Sequence, residues 1–155
     1  MQNAIDGDGS FDPQLRATIE CAIDALERWG ARVLSAHRAE RFGEEDVTGR
    51  SRSIATRDFG WMRSCDAFVG VLPATPKSVP YRSDGTCIEL GWASALRRPI
   101  VLVTTPGVQY SHLLAGLAAV APVMALTTAQ LRRDPETLVA AVRQLLGLAP
   151  IATAG

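Results

Sequence analysis

Two unbroken apolar runs, Ala67-Phe68-Val69-Gly70-Val71-Leu72 and Pro99-Ile100-Val101-Leu102-Val103, constrain this chain more than any other feature. A strand with one wet face alternates apolar and polar residues, whereas a strand covered on both faces does not. The runs therefore predict interior strands of a parallel sheet, and the segments between them supply the helices such a sheet needs. From Asp12 to Trp29 the residues Leu15, Ile19, Ala22, Ile23 and Leu26 recur at helical spacing. Asp12 before Pro13 is an N-cap with proline at the first helical position, and Gly30 is a stop signal. Further helices are expected over Ile54 to Ser64, after Thr86, and over 110–119 and 134–146. Further strands are expected at Arg32-Val33-Leu34-Ser35 and 121–126. The pattern predicts an α/β, flavodoxin-like or Rossmann-like three-layer sandwich with a mostly parallel sheet of four to five strands. One domain over residues 1–148 and a flexible tail over 149–155 are expected.

Composition narrows the function classes. Sixteen basic residues balance sixteen acidic ones, so no global field recruits a nucleic acid polymer or an anionic membrane. The three cysteines, Cys21, Cys65 and Cys87, form no Cys-x-x-Cys pair. That argues against a disulfide framework or a zinc site and suits a reducing cytoplasm. With no signal peptide and no twenty-residue apolar run, a cytoplasmic protein is expected.

Chemistry concentrates in Ser83-Asp84-Gly85-Thr86-Cys87-Ile88-Glu89-Leu90-Gly91-Trp92-Ala93, a polar loop running into a helix with one carboxylate. Thr86 reads as the N-cap, which places Glu89 in the first turn, where free N–H groups and the helix dipole favour an ionised acid. Gly85 leaves room for a close approach to the backbone, and Gly91 suits tight packing of the helix on the sheet. Thr-x-x-Glu ahead of an apolar run is also a capping box, and both roles are open to Glu89. Polar segments collect past the strand ends, at His37 and over Pro73 to Thr86, where ligands of open parallel sheets bind.

Four further pieces carry a resemblance: Ser35-Ala36-His37-Arg38 with Glu40 and Gly43; Asp66-Ala67-Phe68-Val69; Ser83-x-Gly85-Thr86-x-x-Glu89-x-Gly91-Trp92-Ala93-Ser94; and Arg98-Pro99-Ile100-Val101-Leu102. In this order the chain resembles the nucleoside 2-deoxyribosyltransferase-like family, nearest its nucleoside 5′-monophosphate N-glycosidase (CMP hydrolase-like) branch. The resemblance implies Glu89 as a nucleophile at the anomeric carbon, with water or a second base resolving the glycosyl-enzyme. An oxocarbenium-like transition state needs an anion beside that carbon. It also implies substrate contacts from His37, Arg38, Asp58, Trp61 and the loop Ser83-Asp84-Gly85. Ser83 stands where nucleoside transferases tend to carry aspartate, which would repel a phosphate. Ser111 matches a serine that reaches the phosphate bound by a neighbouring subunit.

The implied activity is hydrolysis of a nucleoside 5′-monophosphate by a homo-oligomer, without metal or redox cofactor. Base exchange on nucleosides, a non-catalytic nucleotide-binding or regulatory subunit, and a purely structural partner are the alternatives. The family's opening strand, apolar-Tyr/Phe-apolar-Ala/Gly-Gly-Pro, has no counterpart before Phe11. In the order 2-1-3-4-5 that strand is central, and without it its neighbours keep unpaired backbone groups. A start further upstream, a strand from another subunit, or a closed-up sheet with lapsed activity would each account for this.

Overall fold

Asp12 opens the first helix, accepting a hydrogen bond from the Leu15 amide at 2.7 Å. With Pro13 at its first position, α1 (Pro13–Arg28) buries Leu15, Ile19, Ala22, Ile23 and Leu26, the stripe expected from their spacing. Gly30, at φ 96°, turns the chain out of it. The computed structural model describes residues 11–72, 74–75, 79–80 and 84–149. After an irregular stretch come α2 (Ala36–Ala39), a 3-10 turn at Arg41–Gly43, α3 (Ser51–Ser64) and β1 (Phe68–Leu72). They are followed by α4 (Asp84–Ala95), β2 (Ile100–Thr104), α5 (His112–Ala115), a 3-10 turn at Leu117–Ala119, β3 (Val123–Thr127), α6 (Thr128–Arg133) and α7 (Glu136–Leu145).

The three strands pair in parallel in the order β1-β2-β3, with Phe68 opposite Ile100 and Ile100 opposite Val123. Alternate side chains serve opposite layers. Val101, Val103 and Leu126 join the cluster under α1, α6 and α7, while Leu72, Ile100 and Leu102 join the one under α4. This is a flavodoxin-like three-layer sandwich.

Four expectations need correction. Arg32 to Ser35 pairs with no strand among the described residues, where the sheet has three strands and not four to five. The segment lies across a cavity from β1, with no described chain between them to carry a ladder. The helix over 110–119 is broken into α5 and a 3-10 turn at Gly116, and Leu113 stands 88% exposed. Thr86 is the third residue of α4 and Glu89 the sixth, so Thr86 is no N-cap and the two make no capping box. Asp84, whose charge suits the helix dipole, occupies the first turn instead. Gly91 is exposed, and a Cβ there would meet nothing within 4 Å. Close packing of α4 comes from the sheet side, where a Cβ on Gly70 would lie 3.3 Å from Phe68 and 3.4 Å from Leu90.

Candidate active site

The cavity beside β1 has a volume of about 720 Å³ and two unlike ends. At the carboxyl end of β1 its wall is polar, formed by His37, Asp58, Trp61, Thr86 and Glu89. Much of the rest of its wall is aliphatic, with Ile23, Leu26, Val33, Val69 and Val71, beside Arg32, Ser64 and Asp66.

Glu89 reaches the polar end because α4 docks through Leu90 and Ala93, both buried, which turns position 89 toward the cavity. None of the influences on its carboxyl group is a hydrogen bond. Burial, then the nearby Asp58 and Glu40 carboxylates, push it up to about 7, with Arg57 pulling the other way. An acid so tuned is half ionised at neutral pH, a property common at reacting centres.

Arg57 organises the neighbouring charges. Its Nε donates to Asp58 Oδ1 at 2.8 Å and its Nη2 to Glu40 Oε1 at 2.8 Å. Its guanidinium also lies 4.7 Å from the centre of a Trp61 ring, a cation–π arrangement that fixes the indole. Glu40 is 7% exposed, so the ion pairs are largely shielded from solvent. Two carboxylates face one cation before Glu89 is counted. A further negative charge there is therefore opposed electrostatically as well as by burial.

Replacing Asp58 with Asn removes the second-largest cause of the Glu89 shift while keeping the side-chain shape. The titration of Glu89, followed by carbon-detected NMR of its carboxyl group, is expected to move to lower pH in D58N.

His37 sits at the same end, its ring 5.5 Å from that of Phe11 and 6.3 Å from that of Phe42. Burial pushes its imidazole below the ordinary histidine value, favouring the neutral form. Phe42 reaches this cluster through consecutive left-handed residues, Arg41 at φ 48° and Phe42 at φ 54°. Each costs about 1–2 kcal/mol, held in place by the burial of Phe42 and by the Glu40–Arg57 pair.

The expected site residues do not all meet. Glu89, His37, Asp58 and Trp61 line the polar end together. Arg38 points elsewhere, held by both oxygens of Glu27 at 2.6 and 3.1 Å. Asp84 and Gly85 are exposed on the first turn of α4 and do not line the cavity. Ser111 caps α5, accepting from the Leu114 amide at 3.3 Å, beside the part of the sheet formed by β2 and β3. Ser83 lies outside the described residues. Thr86, Arg57 and Glu40 were missed as site residues. Arg57 could have been suspected from Trp61 four positions later, a spacing that places both on one helix face.

The sequence profile of the family described as nucleoside 2-deoxyribosyltransferase matches residues 7–140. No curated protein is a significant match to the chain. Among solved structures, the chain is similar to the Clostridium botulinum CMP N-glycosidase BcmB at 25% identity and a TM-score of 0.60. That match covers 80% of this chain and 90% of the other. Among the described residues, no helix is long and apolar enough to cross a membrane.

Proposed function

Because the chain belongs to the nucleoside 2-deoxyribosyltransferase family, we propose that it is an N-glycosidase that hydrolyses the base–sugar bond of a nucleoside 5′-monophosphate through Glu89. The observation that carries this reading is Glu89 itself, desolvated at the polar end of the cavity and pushed up to about 7. The CMP N-glycosidase activity named for the structural neighbour supports the same reaction class.

In this reading a Glu89 carboxylate oxygen bonds to the anomeric carbon as the base leaves with the bonding electrons and takes up a proton. Water then hydrolyses the sugar ester and returns Glu89 as a carboxylate. Trp61, fixed by Arg57, offers a face on which a base can stack. Asp58 uses one oxygen for Arg57 and leaves the other to a sugar hydroxyl.

One observation favours a second reading, base exchange on free nucleosides. Among the described residues, Arg57 is the cation acting on Glu89, and it is already engaged by Asp58 and Glu40. A phosphate beside Glu89 would be repelled, so a nucleotide must turn its phosphate away from this end. Ser83 is the residue proposed to receive it. Ser111 would act only on a neighbour's ligand, in a homo-oligomer.

A chromatographic assay of free base from ribo- and deoxyribonucleosides, each with and without its 5′-phosphate, tests both readings. Faster release from the phosphorylated form is the expected result. A preference for the free nucleoside, with a new nucleoside appearing when a second base is added, would establish exchange. Saturable nucleotide binding without base release would make the chain a binding subunit.

A further inference from the structure

The pairing of β1 with β2 continues past its last backbone rung through side-chain hydroxyls. The Phe68 amide donates to the Pro99 carbonyl at 2.8 Å, and in a parallel pair every second residue faces the same neighbour. With Leu72 opposite Thr104, the next rung would run from the Thr105 amide to the Leu72 carbonyl. One oxygen stands between them instead. The Thr105 amide donates to Tyr110 Oη at 3.1 Å, and that hydroxyl donates to the Leu72 carbonyl at 2.6 Å. One step further out, the Ala74 amide donates to Thr105 Oγ1 at 3.0 Å, a second hydroxyl in the place of a backbone carbonyl.

Tyr110 reaches this point because the chain leaving β2 turns at Gly107, with φ 74°. Its ring packs against the cluster that holds Leu72, Leu90 and Leu102, which anchors the hydroxyl. An oxygen inserted between donor and acceptor keeps them farther apart than the roughly 2.9 Å of a direct bond. The carboxyl ends of β1 and β2 are therefore held open by one hydroxyl. Beyond β1 the described residues of the next turn are tied to one another. Ala74 pairs antiparallel with Pro80, the Thr75 amide donates to the Val79 carbonyl at 2.9 Å, and the Val79 amide donates to Thr75 Oγ1 at 3.3 Å. The root of this turn thus rests on Tyr110 and Thr105, at the end of β1 where the cavity is polar.

We propose that Tyr110 is a positioning residue for substrate binding, whose hydroxyl, spliced between β1 and β2, holds the root of the turn after β1 in place beside the polar end of the cavity. Ligands of open parallel sheets bind beyond the carboxyl ends of the strands. A turn root fixed before the ligand arrives need not be ordered by it, which lowers the entropic cost of binding. Glu89 is placed by other contacts, through Leu90 and Ala93 against the sheet. Loosening the root therefore weakens binding and leaves the chemical step alone. The inference rests on the glycosidase reading for the identity of its ligand.

The test compares Tyr110→Phe, Thr105→Val and Thr105→Ser with the parent, each checked for folding by its thermal transition. Equilibrium binding of ribo- and deoxyribonucleoside 5′-monophosphates and the matching nucleosides is measured in a Glu89→Gln background, so that the readout needs no turnover. Tyr110→Phe and Thr105→Val are each expected to raise Kd about five- to tenfold, the scale of one intramolecular hydrogen bond. The double variant should bind little more weakly than either, because both hydroxyls act on one root. Thr105→Ser keeps the oxygen and should bind like the parent. With Glu89 intact, KM should follow Kd while kcat stays within about twofold. A purely structural hydroxyl would lower the thermal transition and leave Kd unchanged in the folded variants, and that result overturns the proposal. A fall in kcat at constant KM overturns it too, since the effect would then lie on Glu89. If Tyr110→Phe does not fold, Thr105→Val against Thr105→Ser decides. A parent that binds these ligands without releasing base sinks the glycosidase reading and leaves the Kd comparison to decide the role of Tyr110. A parent that binds none of them overturns both.

Discussion

Glu89→Gln is expected to lose base release by about a thousandfold or more and, at pH 8, to unfold at higher denaturant concentration than the parent. Loss of activity follows if Glu89 forms the bond to the anomeric carbon, since the amide of Gln is no nucleophile. The gain in stability follows from where the carboxylate sits. Its ordinary value is 4.5, and in the folded protein it is pushed up to about 7, chiefly by burial. Between these values the folded chain holds a proton that the unfolded chain has released. Stability must therefore fall as pH rises through this window, by about 3 kcal/mol in all, and stay lower above it. Gln has no proton to lose, so the variant escapes this decline. Urea unfolding of parent and variant at pH 4 and pH 8 checks the sign: the two should be alike at pH 4 and separated at pH 8. The same titration sets the parent's activity, because the nucleophile must be ionised. In the free enzyme, kcat/KM is expected to climb toward a plateau above about pH 7. A variant that keeps releasing base would remove Glu89 from the mechanism whatever its stability.

Arg57→Met is expected to destabilise the fold by about 3–5 kcal/mol, because it strips the counter-charge from two shielded carboxylates. Both charged hydrogen bonds of Arg57 measure 2.8 Å, and Glu40 has almost no solvent to turn to. The loss exceeds what a surface pair would give, such as Arg16–Glu20, whose side chains are more than 40% exposed; such pairs contribute about 0–1 kcal/mol. Adding Glu40→Gln to Arg57→Met should restore part of the loss, since it removes one stranded charge. Among the described residues, Arg57 is also the influence that lowers the Glu89 proton affinity. In the single variant the Glu89 titration should therefore move further up. Denaturant unfolding of the single and double variants, with carboxyl NMR of Glu89, reads both effects. A single variant as stable as the parent would show that the network is solvated.

Much of the fold was legible because it rests on local periodicity. The spacing of Leu15, Ile19, Ala22, Ile23 and Leu26 set α1, and the runs at Phe68–Leu72 and Ile100–Thr104 set two strands. What failed depends on partners distant in sequence. Arg32 to Ser35 has the composition of a strand, yet a strand exists only through a neighbour. Thr86-x-x-Glu89 matches a capping box letter by letter, but the register of a helix start is settled by contacts the letters do not carry, and α4 begins at Asp84. Within the site, Glu89, His37, Asp58 and Trp61 were findable through the family resemblance. Glu40 was part of the motif but was given no role, and Arg57 was not singled out, because their importance lies in pairing across seventeen residues of sequence. Arg38 shows the converse: a motif position whose charge is spent on Glu27.

The absence of a side chain at Gly70 has a reach beyond packing. Leu90 packs over the dimple that glycine leaves on the sheet, so close that a Cβ there would already touch it at 3.4 Å, and Glu89 is the residue immediately before it. The sheet thus acts as a gauge block for the carboxylate: the depth of the dimple sets how far α4 sinks, and so how far Glu89 projects into the cavity. The position of the candidate nucleophile is indexed from the back of its own helix, by a residue on the sheet.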